Sequence, residues 1–239
     1  MGWAEQPLAF DTTLHLGTAL ALIIYFFKDL VILVKAFVKD VLKNKFNFKS
    51  FSPDGKFGLK IILASLPAGI LGFLLSDFLD NTFRGVASVA VFLLLGSILM
   101  IFAEYRYKVT QKKDNPTFLD SLFVGFFQSL ALLPGFSRSG ASISGGMLLG
   151  LNRENAAKFS FILSIPVILA AGGSQLLHLR HDPLGLTAAP LLVGFLVSAI
   201  TGYIAVDFLI KFLKSKSLLP FIIYRIVLFL ILIGFVIFK

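Results

Sequence analysis

The chain has 239 residues, of which 57% are hydrophobic and 15% charged, with a formal net charge of +9. Apolar runs of about twenty residues recur along it, which excludes an ordinary soluble globule and points to a helical membrane protein. A transmembrane barrel would need alternating segments of about ten residues, which are absent, and Lys and Arg grouped between apolar segments argue against a nucleic-acid partner.

Taken in order, hydropathy predicts segments at Thr13–Phe27, Phe57–Leu79, Val86–Ala103, Phe118–Leu151, Ala157–Leu177, Ala188–Leu209 and Leu218–Phe238. Six of them are able to span. Phe118–Leu151 is interrupted at its centre, leaving arms of roughly fifteen and ten residues, each too short to cross a core of about 30 Å. It reads as a re-entrant hairpin that turns at Pro134-Gly135 and the following Ser/Gly run, with a new helix starting from Ala141. The predicted fold is an all-α polytopic membrane protein of about six transmembrane helices plus one re-entrant helical hairpin. Lys35, Lys39, Lys43, Lys45 and Lys49, then Arg106, Lys108, Lys112 and Lys113, then Lys211, Lys214 and Lys216 fall on one face with Arg153 and Lys158. The opposite loops hold little beyond Arg84 and Arg180, so the basic face is expected to be cytoplasmic. Lys35 to Lys49 reads as an amphipathic surface segment.

A faint repeat lays Phe10-Asp11-Thr12-Thr13-Leu14-His15 on Phe159-Ser160-Phe161-Ile162-Leu163-Ser164. It suggests one membrane domain over 1–239, built as an inverted repeat of residues 10–104 and 117–239. The same offset would put a partner for the hairpin before Met1, so the first re-entrant hairpin is expected to be missing.

The chemistry concentrates in Leu133-Pro134-Gly135-Phe136-Ser137-Arg138-Ser139-Gly140-Ala141-Ser142-Ile143-Ser144-Gly145-Gly146. Irregular polar backbone survives at membrane depth only where it is buried in protein or lines a wet cavity. Arg138 is a forked, permanent cation suited to two phosphate oxygens at once, and it would be costly there without an anion. Ser137, Ser139, Ser142 and Ser144 add hydroxyls, and the amides opening the second arm add a positive dipole end. Neither a Walker loop nor Gly-x-Ser-x-Gly is present. Gly145, Gly146 and Gly150 read as helix-packing residues. Arg225 is expected to pair with Asp207 or to snorkel, and Asp11, one turn before His15, to cap the first helix.

With no cysteine, disulfides and thiolate metal sites are excluded. His178 and His181, flanking Arg180, read as a solvated loop rather than a zinc site. Met1 to Gln6 carries a Trp and a Glu where the basic region of a cleavable signal would sit.

The stretch from Gln128 to Gly146 closely resembles the second signature of the undecaprenyl pyrophosphate phosphatases, or bacitracin-resistance proteins. The similarity extends to Gly2-Trp3-Ala4-Glu5-Gln6, to Phe10–Thr18 and to Pro220-Phe221-Ile222-Ile223-Tyr224-Arg225. The resemblance implies a multi-pass enzyme of the bacterial plasma membrane that hydrolyses undecaprenyl diphosphate, a phosphoric anhydride, to the monophosphate and inorganic phosphate. That step recycles the lipid carrier of peptidoglycan synthesis and gives bacitracin resistance. It implies catalytic roles for Arg138, Ser137 and Ser142, the last standing where threonine is usual. Gly135, Ser139, Gly140, Ser144 and Arg225 are the expected substrate contacts. The partners are then the lipid diphosphate and the membrane, with a homodimer as a candidate assembly. A divalent cation, Mg²⁺ or Ca²⁺, is the implied cofactor, yet the family's first signature is not in this sequence. That signature has an acidic or amide residue and a glutamate four apart, followed by Pro-x-Ser-Ser-x-Gly-His. It supplies the metal-binding carboxylates and the Ser/His proposed for attack, so the expected metal ligands within this chain are none. The rival expectations are a polyprenyl-phosphate carrier or flippase, and an inactive protein that binds the lipid diphosphate.

Overall fold

The structure is a computed structural model that describes residues 8–45, 47–83, 85–179 and 188–237. The signals expected at Gly2 to Gln6, Arg84 and Arg180, and the His178–His181 pair, lie outside the described residues or side chains.

Among the described residues there is no strand, and the only extended pairing is an isolated parallel bridge between Lys113 and Leu151. Helices α1 (Leu8–Tyr25), α2 (Phe27–Asn44), α3 (Pro53–Phe83) and α4 (Val86–Tyr107) precede the interrupted segment. That segment consists of α5 (Phe118–Ser129), a 3₁₀ turn at Leu130–Leu132 and α6 (Arg138–Leu148). Helices α7 (Arg153–Leu179), α8 (Ala188–Leu213) and α9 (Leu219–Ile237) follow.

Among the described residues, five stretches are long and apolar enough to cross a membrane: Pro53–Leu75, Val86–Tyr107, Arg153–Gly173, Ala189–Leu213 and Leu219–Ile237. The first expected span falls in α1, whose apolar stretch Phe10–Tyr25 is shorter. Large apolar side chains face outward, Phe73 at 87% and Leu74 at 67% exposure among them. In water that would be prohibitive, whereas lipid tails solvate such side chains. The chain is a multi-pass membrane protein.

Two compact units emerge, one of Met1–Gly55 with Ser164–Leu209 and one of Lys56–Leu163 with Ile210–Lys239. In the first, α1 meets α8 closely: a Cβ on Gly17 would lie 2.6 Å from the Phe195 carbonyl oxygen, and the Ser198 hydroxyl donates to the Leu14 carbonyl at 2.7 Å. Asp11 falls in the first turn of α1, and a His15 ring nitrogen pairs with its carbonyl oxygen at 2.8 Å. Helix α2 carries Lys35, Lys39 and Lys43 of the expected lysines together with exposed Val34, Val38 and Leu42, while Lys45 and Lys49 follow its end. Its Asp40 accepts hydrogen bonds from the amide and hydroxyl of Ser52, at 2.8 and 2.6 Å, which ties α2 to the start of α3.

In the second unit, α4 packs against α6 and α9, and α5 packs against α6. The two arms of twelve and eleven residues lie together and neither is long enough to cross. Their outer ends are pinned on one side: the Lys113 amide donates to the Gly150 carbonyl at 2.9 Å, and the Asn152 side chain to Asp114 at 3.1 Å. Thr117 and Asp120 form a capping box at the start of α5, with Lys113 2.5 Å from the same carboxylate. Helix α6 ends in a Schellman motif, the Leu151 amide reaching Gly146 at 2.9 Å and the Gly150 amide reaching Met147 at 3.1 Å. Gly150 has φ 96° there, the left-handed geometry this motif requires.

Candidate active site

Leu133 to Ser137 reverse the chain in five residues. Gly135 takes φ 93°, and a Cβ on it would lie 2.5 Å from the Val89 carbonyl oxygen. No other residue fits both constraints. Ser137 has φ 77°, a strained value for a side-chain-bearing residue of a kind concentrated at functional sites. It caps α6, its hydroxyl accepting from the Gly140 amide at 3.2 Å and its carbonyl from the Ala141 amide at 2.9 Å. The cap starts α6 at Arg138, three residues before the expected Ala141. Arg138 is therefore the first helical residue, so its own amide and that of Ser139 head the helix beside its side chain.

Arg138 has no hydrogen-bond or ion-pair partner among the described residues, although it is only partly exposed. A guanidinium withdrawn from water without a counter-charge is unfavourable unless an anion completes the site. Ser137 and Ser139 are also partly exposed, so one turn presents two hydroxyls, the leading amides and five guanidinium N–H groups.

The remaining expected contacts lie inside the hairpin. Gly140 is buried, and a Cβ there would meet Ser137 and, at 3.3 Å, the Met100 sulfur. Ser142 is fully buried; its hydroxyl donates to the Arg138 carbonyl at 2.8 Å and lies 2.5 Å from the Ser160 hydroxyl of α7. Since Ser142 has one proton, Ser160 is the donor in that pair. Ser144 is fully buried and its hydroxyl has no partner. Gly145 and Gly146 serve packing, against Phe127 and Ala156 respectively.

Arg225 sits behind the turn, 8% exposed. Its Nε donates to the Ser97 hydroxyl at 3.1 Å, and its Nη2 to the carbonyls of Leu93, Gly135 and Phe136 at 2.9, 3.0 and 3.1 Å. These acceptors take the place of the Asp207 or headgroup partner expected from sequence. Gly96 makes room for the arrangement, because a Cβ there would collide with the Phe136 carbonyl oxygen and lie 2.6 Å from Nη2.

Sequence reasoning missed three groups. Ser160 entered only through the repeat. Glu104 binds Arg153 through both carboxylate oxygens, at 3.0 and 2.5 Å, and accepts the Leu218 amide at 2.7 Å. Arg153 also stacks over the Tyr107 ring at 3.9 Å, so α4, α7 and α9 meet at one ion pair. Gln128 is 1% exposed with neither side-chain atom paired; it opens the stretch that carries the resemblance, but no role was expected of it. No group of three or more His, Cys, Asp or Glu able to hold a metal ion occurs among the described residues.

Residues 1–231 match the family described as bacitracin resistance protein BacA. The chain belongs to that family. It is 37% identical over 227 residues to an undecaprenyl-diphosphatase of Saccharophagus degradans, covering 95% of this chain and 83% of that protein. An undecaprenyl-diphosphatase of Methanosphaera stadtmanae is 39% identical over 222 residues, 90% of this chain and 79% of the relative. One of Trichlorobacter lovleyi is 40% identical over 232 residues, 95% and 82%. Both arms of the hairpin and its Arg225 support lie within the BacA match.

Proposed function

We propose that this BacA-family chain hydrolyses undecaprenyl diphosphate to undecaprenyl phosphate and inorganic phosphate, in the plasma membrane of a bacterium, where the product re-enters peptidoglycan synthesis. The observation that carries the reading is Arg138, an unpaired guanidinium at the head of α6 on a turn braced from behind by Arg225. A diphosphate supplies the missing counter-charge, and a lipid diphosphate reaches such depth with its tail still in hydrocarbon.

In the reaction the anhydride P–O bond breaks and water supplies the new oxygen to the released phosphate. Arg138 holds two phosphoryl oxygens and offsets the charge that grows on them as the bond opens. The Ser137 and Ser139 hydroxyls and the leading amides of α6 fill the remaining acceptor positions. Ser142, bonded to the Arg138 carbonyl and to Ser160, keeps the first turn of α6 in register. Gly135 lets the turn close; Gly140 and Ser144 shape the arm behind it. Arg225 acts as a positioning residue.

Dependence on Mg²⁺ or Ca²⁺ belongs to this proposal as a property to be measured. No cluster of three or more His, Cys, Asp or Glu occurs among the described residues, and the steps above are written for this chain's own side chains and amides.

The test is phosphate release from undecaprenyl diphosphate by the protein in nanodiscs, with and without divalent cation. Arg138→Lys keeps the charge but loses the fork, and turnover is expected to fall by about 100-fold or more, the scale for losing a transition-state donor. Full activity in that variant would overturn the assignment.

A further inference from the structure

Helix α2 repeats one dipeptide pattern along its length. Phe27-Lys28, Val34-Lys35, Val38-Lys39 and Leu42-Lys43 each set an apolar side chain before a lysine, at steps of seven, four and four residues. Those steps return every pair to the same side of a helix with 3.6 residues per turn. All eight side chains are exposed, Leu42 at 78%. The result is two parallel rows, one of hydrocarbon and one of cations, with a shallow cleft of about 640 Å³ over the last three pairs. None of the four lysines forms an ion pair among the described residues.

The remaining side of α2 faces protein. Asp29 and Asp40, about three turns apart, lie across the helix from the apolar row. Asp40 is buried against the Ser52 amide and hydroxyl, and Phe37 meets the buried Phe51 ring edge-on with centroids 6.2 Å apart. The Ser52 hydroxyl in turn accepts the Gly55 amide at 3.2 Å, in the first turn of α3. The apolar stretch Pro53–Leu75 begins at that turn, so the contact holds the second half of α2 at the level where a membrane span ends. Helix α2 is not itself one of the stretches apolar enough to cross.

The geometry points to α2 as a binding site for anionic phospholipid at the bilayer surface, with Val34, Val38 and Leu42 among the upper acyl carbons and Lys35, Lys39 and Lys43 on headgroup phosphates. Lys28 begins the same row one turn and a half before Lys35. A lipid leaflet presents hydrocarbon and anion as two adjoining layers, which matches two adjoining rows on one helix. A soluble polyanion would satisfy the lysines and leave Leu42 in water. An apolar protein surface would cover Leu42 and strand the lysines. The inference is independent of the reaction proposed at Arg138.

The experiment places the full chain in nanodiscs of phosphatidylcholine mixed with phosphatidylglycerol. The chain has no cysteine, so Leu42→Cys gives a single attachment point for a nitroxide. That nitroxide is expected to be relaxed more by oxygen than by a water-soluble nickel complex, as in hydrocarbon. Lipids retained in native mass spectrometry are expected to be enriched in phosphatidylglycerol. Lys35→Gln, Lys39→Gln and Lys43→Gln together should lower that enrichment by at least about fivefold, the scale for one lysine at an anionic surface. Glutamine keeps the helix propensity of lysine, so the fold is preserved. Removing the same charge at exposed Lys108, Lys112 and Lys216 should leave the enrichment nearly unchanged. Equal losses in the two triple variants would overturn the site, because net charge alone would then explain the retention. A nitroxide in water would overturn it too, and displacement of the lipid by inorganic polyphosphate would then name a soluble polyanion as the occupant. Phosphate release measured on the same nanodiscs tests the proposed reaction separately, and neither result decides the other.

Discussion

The Nη2 of Arg225 lies 3.0 Å from the carbonyl oxygen of Gly135 and 3.1 Å from that of Phe136, so one arginine fastens the turn that presents another. Arg225 is satisfied by protein and Arg138 by nothing yet described, and the two are expected to respond oppositely to substitution.

Arg225→Met leaves buried carbonyls without a donor, each costing about 1–3 kcal/mol. Thermal unfolding in detergent should shift down by several degrees, and diphosphate binding should weaken with it. A variant as stable as the parent would mean that the brace is dispensable.

Arg138→Met removes a partly desolvated charge that gains nothing in the unliganded protein. Stability without ligand should be unchanged or higher, while inorganic diphosphate should no longer raise the unfolding temperature. A large loss of stability would instead show that Arg138 has a partner in the folded chain.

Ser160→Ala strips the donor from Ser142. The expected cost is about 1 kcal/mol, and a double-mutant cycle with Ser142→Ala should return a coupling of about 0.5–1.5 kcal/mol. Additive effects would show that the 2.5 Å pair contributes nothing to folding.

Asp120 and Asp40 set the acid limit. Burial alone would raise Asp120, but hydrogen bonds from Lys113 and Thr117 outweigh it and hold the carboxyl below its ordinary value. For Asp40 the hydrogen bond from the Ser52 side chain dominates, again downward. A depressed folded pKa means a contribution fully present above the unfolded carboxylate value near 4 and lost as pH falls through the lower folded value. The unfolding temperature should therefore fall as pH drops below about 4, and Asp120→Asn should flatten that decline. An identical pH profile in the variant would refute the assignment.

Much of the hairpin was legible because Pro-Gly and clustered serines have no business in a lipid-facing helix. The arms came out within a few residues of expectation, twelve plus a three-residue turn and then eleven. The start of α6 was not legible, because it depends on Ser137 adopting φ 77°, a conformation that serine rarely takes and that only the surrounding packing imposes. Arg225 was misplaced for a related reason: its acceptors are mostly backbone carbonyls, which leave no mark in the amino-acid string. The Glu104–Arg153 pair joins residues 49 apart, and two charges near helix ends look alike whether paired or solvated.

The shortness of the first arm has an electrical consequence. Twelve residues rise about 18 Å, so a turn reached from the pinned ends lies roughly halfway through a core of about 30 Å. An anion that settles on Arg138 from either face crosses part of the transmembrane field, and a full crossing is worth about 2.3 kcal/mol per charge at 100 mV. Half that path and two or more negative charges make occupancy of the turn a voltage-dependent quantity. Diphosphate affinity measured in vesicles should therefore change severalfold when a potassium diffusion potential is imposed or reversed.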